Sequence, residues 1–138
     1  IPALQIAEDT RIAEELYTVD SLQPHFALVV AENVQANMNQ MVFDVINYNL
    51  DNFTDKNYRT EGKVVDTDYI LITVGTFENA AEADKWLSAF DPLANIRGAE
   101  NAVISLYIIS RDNLEKLTND KNTTRYRIFY ETAYRSKK

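Results

Sequence analysis

"KVVDTDYILITVGTFENAAEADKWLSAF", Lys63 to Phe90, decides the fold. Two runs rich in β-branched residues, Gly62–Asp66 and Tyr69–Thr76, are separated by little more than Thr67 and Asp68. Strands joined by so short a connection pair as a hairpin. Within four residues of Gly75-Thr76 a helical pattern starts. Asn79 is placed to accept a hydrogen bond as N-cap, and Glu82 stands three positions on, a capping box with Asn in place of Ser or Thr. Ala80, Ala83, Leu87 and Phe90 form one stripe with Trp86 beside it, and the small alanines let the helix lie close to a sheet. Asp91-Pro92 ends it, because proline disfavours the helical conformation of the residue before it.

Upstream, "HFALVV" (His25–Val30) reads as a strand after Pro24. From Val34 to Phe53 apolar residues recur at three- and four-residue steps (Val34, Met38, Met41, Val42, Val45, Ile46, Phe53), an amphipathic helix capped by Asn33 or Asn37. Residues 1–23 carry little apolar mass beyond Ile12 and Leu16 and read as a tether with one marginal helix. Downstream, "AVISLYIIS" (Ala102–Ser110) is a fourth strand, "SRDNLEKLTND" a short helix opened by Ser-x-x-Asn, and "TTRYRIFYETAY" a last helix with Tyr126, Phe129, Tyr130 and Tyr134 at helical spacing.

The order β-α-β-β-α-β followed by two helices predicts, for residues 24–138, an α+β domain of ferredoxin-like type: a four-stranded antiparallel sheet, two helices on one face, and two C-terminal helices. Right-handed crossovers place the first and third strands in the middle. Alternation predicts that Phe26, Leu28, Val30, Ile70, Ile72, Val74, Ile104, Leu106 and Ile108 face the helices, and that Ala27, Val29, Tyr69, Leu71, Thr73, Val103, Ser105 and Tyr107 face away. That second face is too apolar to stand in water. Either the aromatic C-terminal helix covers it, which burial of such stripes favours, or a partner does. Tyr69, Leu71, Thr73, Val103, Ser105 and Tyr107 are therefore the candidate partner or glycan face, and Gly75 lies on the same side.

The 138 residues, 46% apolar and 25% charged, fit one globular domain with a real core. No cysteine is present, which removes disulfides, thiolate zinc sites and cysteine nucleophiles. No run approaches the ~18 apolar residues of a membrane span. Ile1 in place of Met suggests an excised or mature piece. The net charge of −7 argues against nucleic acid, whose phosphates need clustered Lys and Arg. The charge is uneven: six bases against Glu131 from Lys121 onward give +5, leaving −12 on residues 1–120, a basic tail on an acidic body.

Catalytic chemistry finds few groups to work with. The single histidine, His25, sits at the start of a strand, where a structural role is the commoner one. Asp66 and Asp68 flank a tight turn that aspartates favour by bonding their own backbone, and no calcium-loop pattern accompanies them. Gly62, Gly75 and Gly98 are the only glycines, too few for a P-loop or GxGxxG cradle. No GxSxG nucleophile elbow occurs. The expectation is a non-enzymatic domain with no cofactor and no metal. "NFT" and "NTT" match glycosylation sequons.

"HFALVV", "YILITVGTFENAAEADKWLSAF", "YIISRDNLEKL" and "RYRIFYETAY" together resemble the C-terminal domain of tetratricopeptide-repeat proteins of Bacteroidetes, including lipoproteins associated with gliding motility and type IX secretion. The resemblance spans about Pro24 to Tyr134 and rests on core and capping positions; Trp86 stands where tyrosine is usual, and no repeat helices are present. It implies a protein-interaction or structural domain at the C-terminus of a larger cell-envelope or periplasmic protein, with a protein partner. Tyr69–Phe90 also resembles the second half of a SPOR domain, which implies peptidoglycan glycan binding on the second sheet face; the two C-terminal helices have no counterpart there. A small-molecule-binding or enzymatic domain of the same fold is the third alternative.

Overall fold

A computed structural model describes residues 2–32 and 37–135. The chain runs α1 (Pro2–Leu16), β1 (His25–Glu32), α2 (Met38–Asn52), β2 (Arg59–Val65), β3 (Tyr69–Phe77), α3 (Ala80–Ala89), α4 (Pro92–Asn95), β4 (Val103–Ser110), α5 (Arg111–Asp120) and α6 (Thr123–Tyr130), with one further π turn at Glu131–Arg135. It is a mixed α/β structure with a four-stranded sheet of order β2-β3-β1-β4, every neighbouring pair antiparallel. The first and third strands are central, the placement expected from the sequence.

Local chemistry sets the boundaries. Asn37 caps α2 by accepting from the Gln40 amide; the alternative cap Asn33 and the expected helical Val34 lie outside the described residues. Asn79 accepts from the Glu82 amide at 3.0 Å and Ser110 from the Asn113 amide at 3.2 Å, so both expected caps form. Asp91 does more than end α3: its carboxylate accepts from Leu93 N–H and, with Pro92 in the first turn, opens α4. The hairpin turns through Asp66 and Thr67, both with positive φ (51° and 57°), and Val65 pairs with Tyr69.

Strand register assigns the faces. Val29 lies opposite Ile72 and Leu106, Ala27 opposite Ile108, and Ala31 opposite Ile70 and Ile104, so these residues share one side. Gly62, opposite Ile72, marks that side as the one under α2: a Cβ there would sit 2.7 Å from Val42. Trp86 of α3 meets Tyr48 of α2 edge-on at 5.7 Å and donates from its indole to Asn49 at 2.7 Å, which places α3 next to α2. Leu28 lies opposite Thr73 and Tyr107, and Val30 opposite Leu71 and Ser105, on the other side. The expected phase of β1 is thus reversed: Ala27 and Val29 face α2 and α3, while Phe26, Leu28 and Val30 belong with the second face. The cause is burial on both sides. Ala27 to Ala31 are all buried, so β1 offers no polar contrast from which a phase can be read.

The second face is covered by α5 and α6. Tyr126 and Tyr130 meet Tyr107 edge-on at 5.7 and 5.0 Å, and Leu114 of α5 lies beside Thr73. Of the stripe Tyr126, Phe129, Tyr130 and Tyr134, Tyr126 and Tyr130 are core, while Phe129 and Tyr134 are half-buried and pack against it. The large, fully buried side chains Leu28, Ile72, Ile109 and Leu117 each contribute about 2 kcal/mol of apolar burial from these two layers.

The opening segment is docked rather than tethered. Asp9, Ala13 and Tyr17, one helical face, are buried against α6. Arg125 bridges Asp9 at 2.9 Å and Asp120 at 2.8 Å. Downstream of α1, the backbone is held by the amino ends of two helices: Ala80 N–H donates to the Ser21 carbonyl and Arg111 N–H to that of Pro24. These amides have no partner inside their own helices, and the linker carbonyls satisfy them.

Candidate functional site

The candidate face is real as a face and mostly filled. Leu71 and Tyr107 are buried, Tyr69, Thr73 and Ser105 are half-buried, and Val103 is exposed. The structure gathers Tyr69, Val103, Ser105 and Tyr107 around one cleft of about 160 Å³ at the end of the sheet, rimmed by Glu32, Thr123 and Arg127. Leu71 and Thr73 line a separate cleft beside Leu114. Burial under α6 pushes the Tyr107 hydroxyl pKa up, partly offset by a hydrogen bond that its oxygen accepts from Ser105. Tyr107 therefore serves as a neutral packing surface rather than a presented ring.

What lies over Gly75 is Phe26. A Cβ on Gly75 would approach the Phe26 ring to 2.6 Å, so the missing side chain makes room for the chain's own first strand. The Gly75–Thr76 peptide bond is cis.

His25 is completely buried. Its Nδ1 lies 2.8 Å from the Gln23 carbonyl and its Nε2 2.8 Å from the Tyr134 hydroxyl. A carbonyl only accepts, so Nδ1 carries the proton and the neutral ring accepts from Tyr134 at Nε2. Burial lowers the pKa, with the Gln23 carbonyl opposing. Both ring nitrogens are engaged, and the imidazole locks the π turn against the start of β1.

Asp66 and Asp68 act in the turn, with Asp68 N–H on the Asp66 carbonyl at 2.6 Å. Among the described residues no three His, Asp or Glu side chains converge as metal ligands would. Asn52 of the "NFT" sequon donates to the Tyr48 carbonyl, while Asn122 of "NTT" caps α6. A further cavity of about 270 Å³ lies between α2 and the Ile96–Ala102 loop; the buried carboxylate of Asp44 holds its Arg97 wall through the Arg97 amide at 3.0 Å and guanidinium at 3.3 Å.

One surface was missed by the stripe drawn through α2. Phe43, Ile46 and Leu50 stand on its outward side, exposed to 52%, 37% and 62%. Ile46 had been grouped with the buried positions, and Phe43 and Leu50 fell outside that group. Large apolar residues left over from the buried stripe were the available signal, since an amphipathic helix places polar residues there. Val103 at 62% is one of several other exposed apolar positions, and it lies on the sheet's far edge.

No protein-family model, no curated protein and no solved structure matches the chain. No helix among the described residues is long and apolar enough to cross a membrane.

Proposed function

We propose that this chain is a non-catalytic protein-interaction domain of ferredoxin-like architecture, the C-terminal part of a larger cell-envelope repeat protein. The observation that carries the interaction reading is the outward stripe of α2. Three large apolar side chains at steps of three and four residues form a continuous patch of the kind that marks a protein contact. Phe43 is its aromatic anchor. The helix "MNQMVFDVINYNLDN" carries no basic residue, and its one solvent-exposed charge is Asp51. With −12 on residues 1–120, the matching partner presents an apolar patch bordered by Lys or Arg. Placement in the envelope or periplasm rests on the family resemblance.

Coverage of the second sheet face ranks this above glycan binding. A SPOR-like platform needs that face open, and α5 and α6 bury Tyr107 and Leu71. The buried, doubly bonded His25 likewise speaks for a structural histidine over an acid–base group.

The test is capture of envelope neighbours by the full-length protein, in parallel with a Phe43→Glu, Leu50→Glu variant. Loss of capture with unchanged circular dichroism supports the reading. Capture that survives both this variant and deletion of the domain refutes it, and co-sedimentation with purified sacculi would favour the glycan alternative.

A further inference from the structure

Among the described residues no strand pairs with the outer side of β2 or of β4. The two edges are built differently. Along β2 the exposed charges Arg59, Glu61 and Lys63 alternate, the usual way a sheet edge discourages further pairing. Strand β4, "VISLYIIS", carries no charge, no proline and no glycine.

Half of the β4 edge is already occupied from within. Tyr126 of α6 donates its hydroxyl to the Ile108 carbonyl at 2.5 Å. That contact fixes which groups point outward, because both backbone groups of one strand residue face the same side and successive residues alternate. With Ile108 facing out, Leu106 and Ile104 face out as well, and Val103, Ser105 and Tyr107 direct their groups to β1. The open stretch is Val103 to Leu106. Its residues are exposed or half-buried, whereas Tyr107 to Ser110 are buried.

We propose that this stretch is a self-association edge, at which two copies of the chain pair their β4 strands antiparallel about a two-fold axis at Ser105. The occupant is argued from self-complementarity. In this register Ile104 exchanges both hydrogen bonds with Leu106 of the second copy, and Leu106 with Ile104 of the second copy. All four outward groups on each strand are satisfied. Ile104 and Leu106 share the α2–α3 side of the sheet, so the pair continues one apolar face across the junction. On the other side Val103, exposed to 62%, comes to rest on Tyr107 of the second copy. β4 carries no charged side chain, so no like charges meet strand to strand. Ser105 meets its own copy as a non-hydrogen-bonded pair, with Cα atoms about 4.5 Å apart. Tyr126 ends the pairing at Ile108. The short open stretch makes the dimer concentration-dependent, and it is independent of the α2 surface.

The experiment uses the purified chain alone. Sedimentation over a dilution series is expected to show the mean mass rising from 15.8 kDa toward twice that value. Ser105→Lys places two ammonium groups at the axis and is expected to hold the mass at 15.8 kDa at every concentration, with unchanged circular dichroism. Since the chain has no cysteine, Ser105→Cys supplies a single thiol at the axis, within disulfide reach of its copy. Mild oxidation should link Ser105→Cys into a covalent dimer much faster than Glu61→Cys on the guarded edge. A parent chain that stays monomeric throughout, a dimer that Ser105→Lys leaves intact, or equal linking rates at the two positions would each overturn the proposal.

Discussion

The carboxamide of Asn113 engages both backbone groups of Thr18, donating from Nδ2 to its carbonyl at 2.7 Å and accepting its N–H at Oδ1 at 3.3 Å. Asn113 is completely buried in the first turn of α5, and Thr18 follows α1, 95 residues earlier. A side-chain amide here replaces a strand neighbour for an isolated piece of backbone. Replacing it with alanine removes two hydrogen bonds to a residue that is itself exposed, so water can reach the freed Thr18 groups and Asn113→Ala is expected to cost about 1–2 kcal/mol. Urea denaturation measures the loss, and hydrogen exchange should show the Thr18 amide losing its protection. An unchanged Thr18 amide would show that the clamp does not form.

His25 links stability to acid. Its folded pKa lies below the ordinary imidazole value of 6.5 because burial disfavours the charged ring. Between the folded pKa and 6.5 the unfolded chain binds more protons, so unfolding free energy rises with pH in that window. The contribution is complete above pH 6.5 and is lost as pH falls through the folded pKa. NMR titration of the single imidazole should give a pKa below the unfolded value, and His25→Gln should flatten the acid limb of the stability profile.

Tyr134→Phe tests the other half of that contact. It leaves Nε2 buried with no donor, at a cost of about 1–3 kcal/mol, while the Phe129 and Tyr130 ring contacts remain available. The expected spectroscopic sign is a displaced His25 Nε2 resonance with the rest of the sheet unperturbed.

Gly75→Ala drives a methyl group into the Phe26 ring. Because the ring carbon at 2.6 Å is part of a rigid plane, overpacking of about 1–3 kcal/mol is expected. In a Phe26→Ala background the same substitution should cost much less. Additive costs in that double-mutant cycle would show that the ring is not what fills the space.

Arg125 joins α1, α5 and α6 through Asp9 and Asp120. Removing it leaves the buried Asp9 carboxylate without its counter-charge and with only the Gln5 side-chain amide as donor, and Arg125→Ala is expected to cost about 3 kcal/mol. Arg125→Lys should recover only part of this, since one ammonium cannot reproduce two directed N–H contacts. Thermal unfolding of the three proteins separates lost charge from lost fork geometry.

What was legible in the sequence was local. The hairpin, the Asn79 and Ser110 caps and the end of α3 are decided by residues within a few positions of each other. The central placement of β1 and β3 followed from chain order. The phase of β1 was not legible, because alternation needs one wet face and β1 has none. The docking of α1 was hidden for a different reason: its buried face includes Asp9, a polar residue whose partner Arg125 lies 116 positions away. Of the candidate surface, the sequence placed Tyr69, Leu71, Thr73, Val103, Ser105 and Tyr107 on one face. Its filling by Tyr126 and Tyr130 depended on how two helices pack after the sheet is made. Phe43 and Leu50 fall off the stripe that marks the core, and the surface they make is not legible while Ile46, which lies between them, is read as part of that stripe.

The linker after α1 is gripped at Thr18 by Asn113, at Ser21 by the start of α3 and at Pro24 by the start of α5. These three attachments lie in series between α1 and the central strand. A mechanical load entering through α1 is therefore divided between two helices on opposite faces of the sheet before β1 feels it. The domain resists such a pull as a braced anchor, not as a bead on a string.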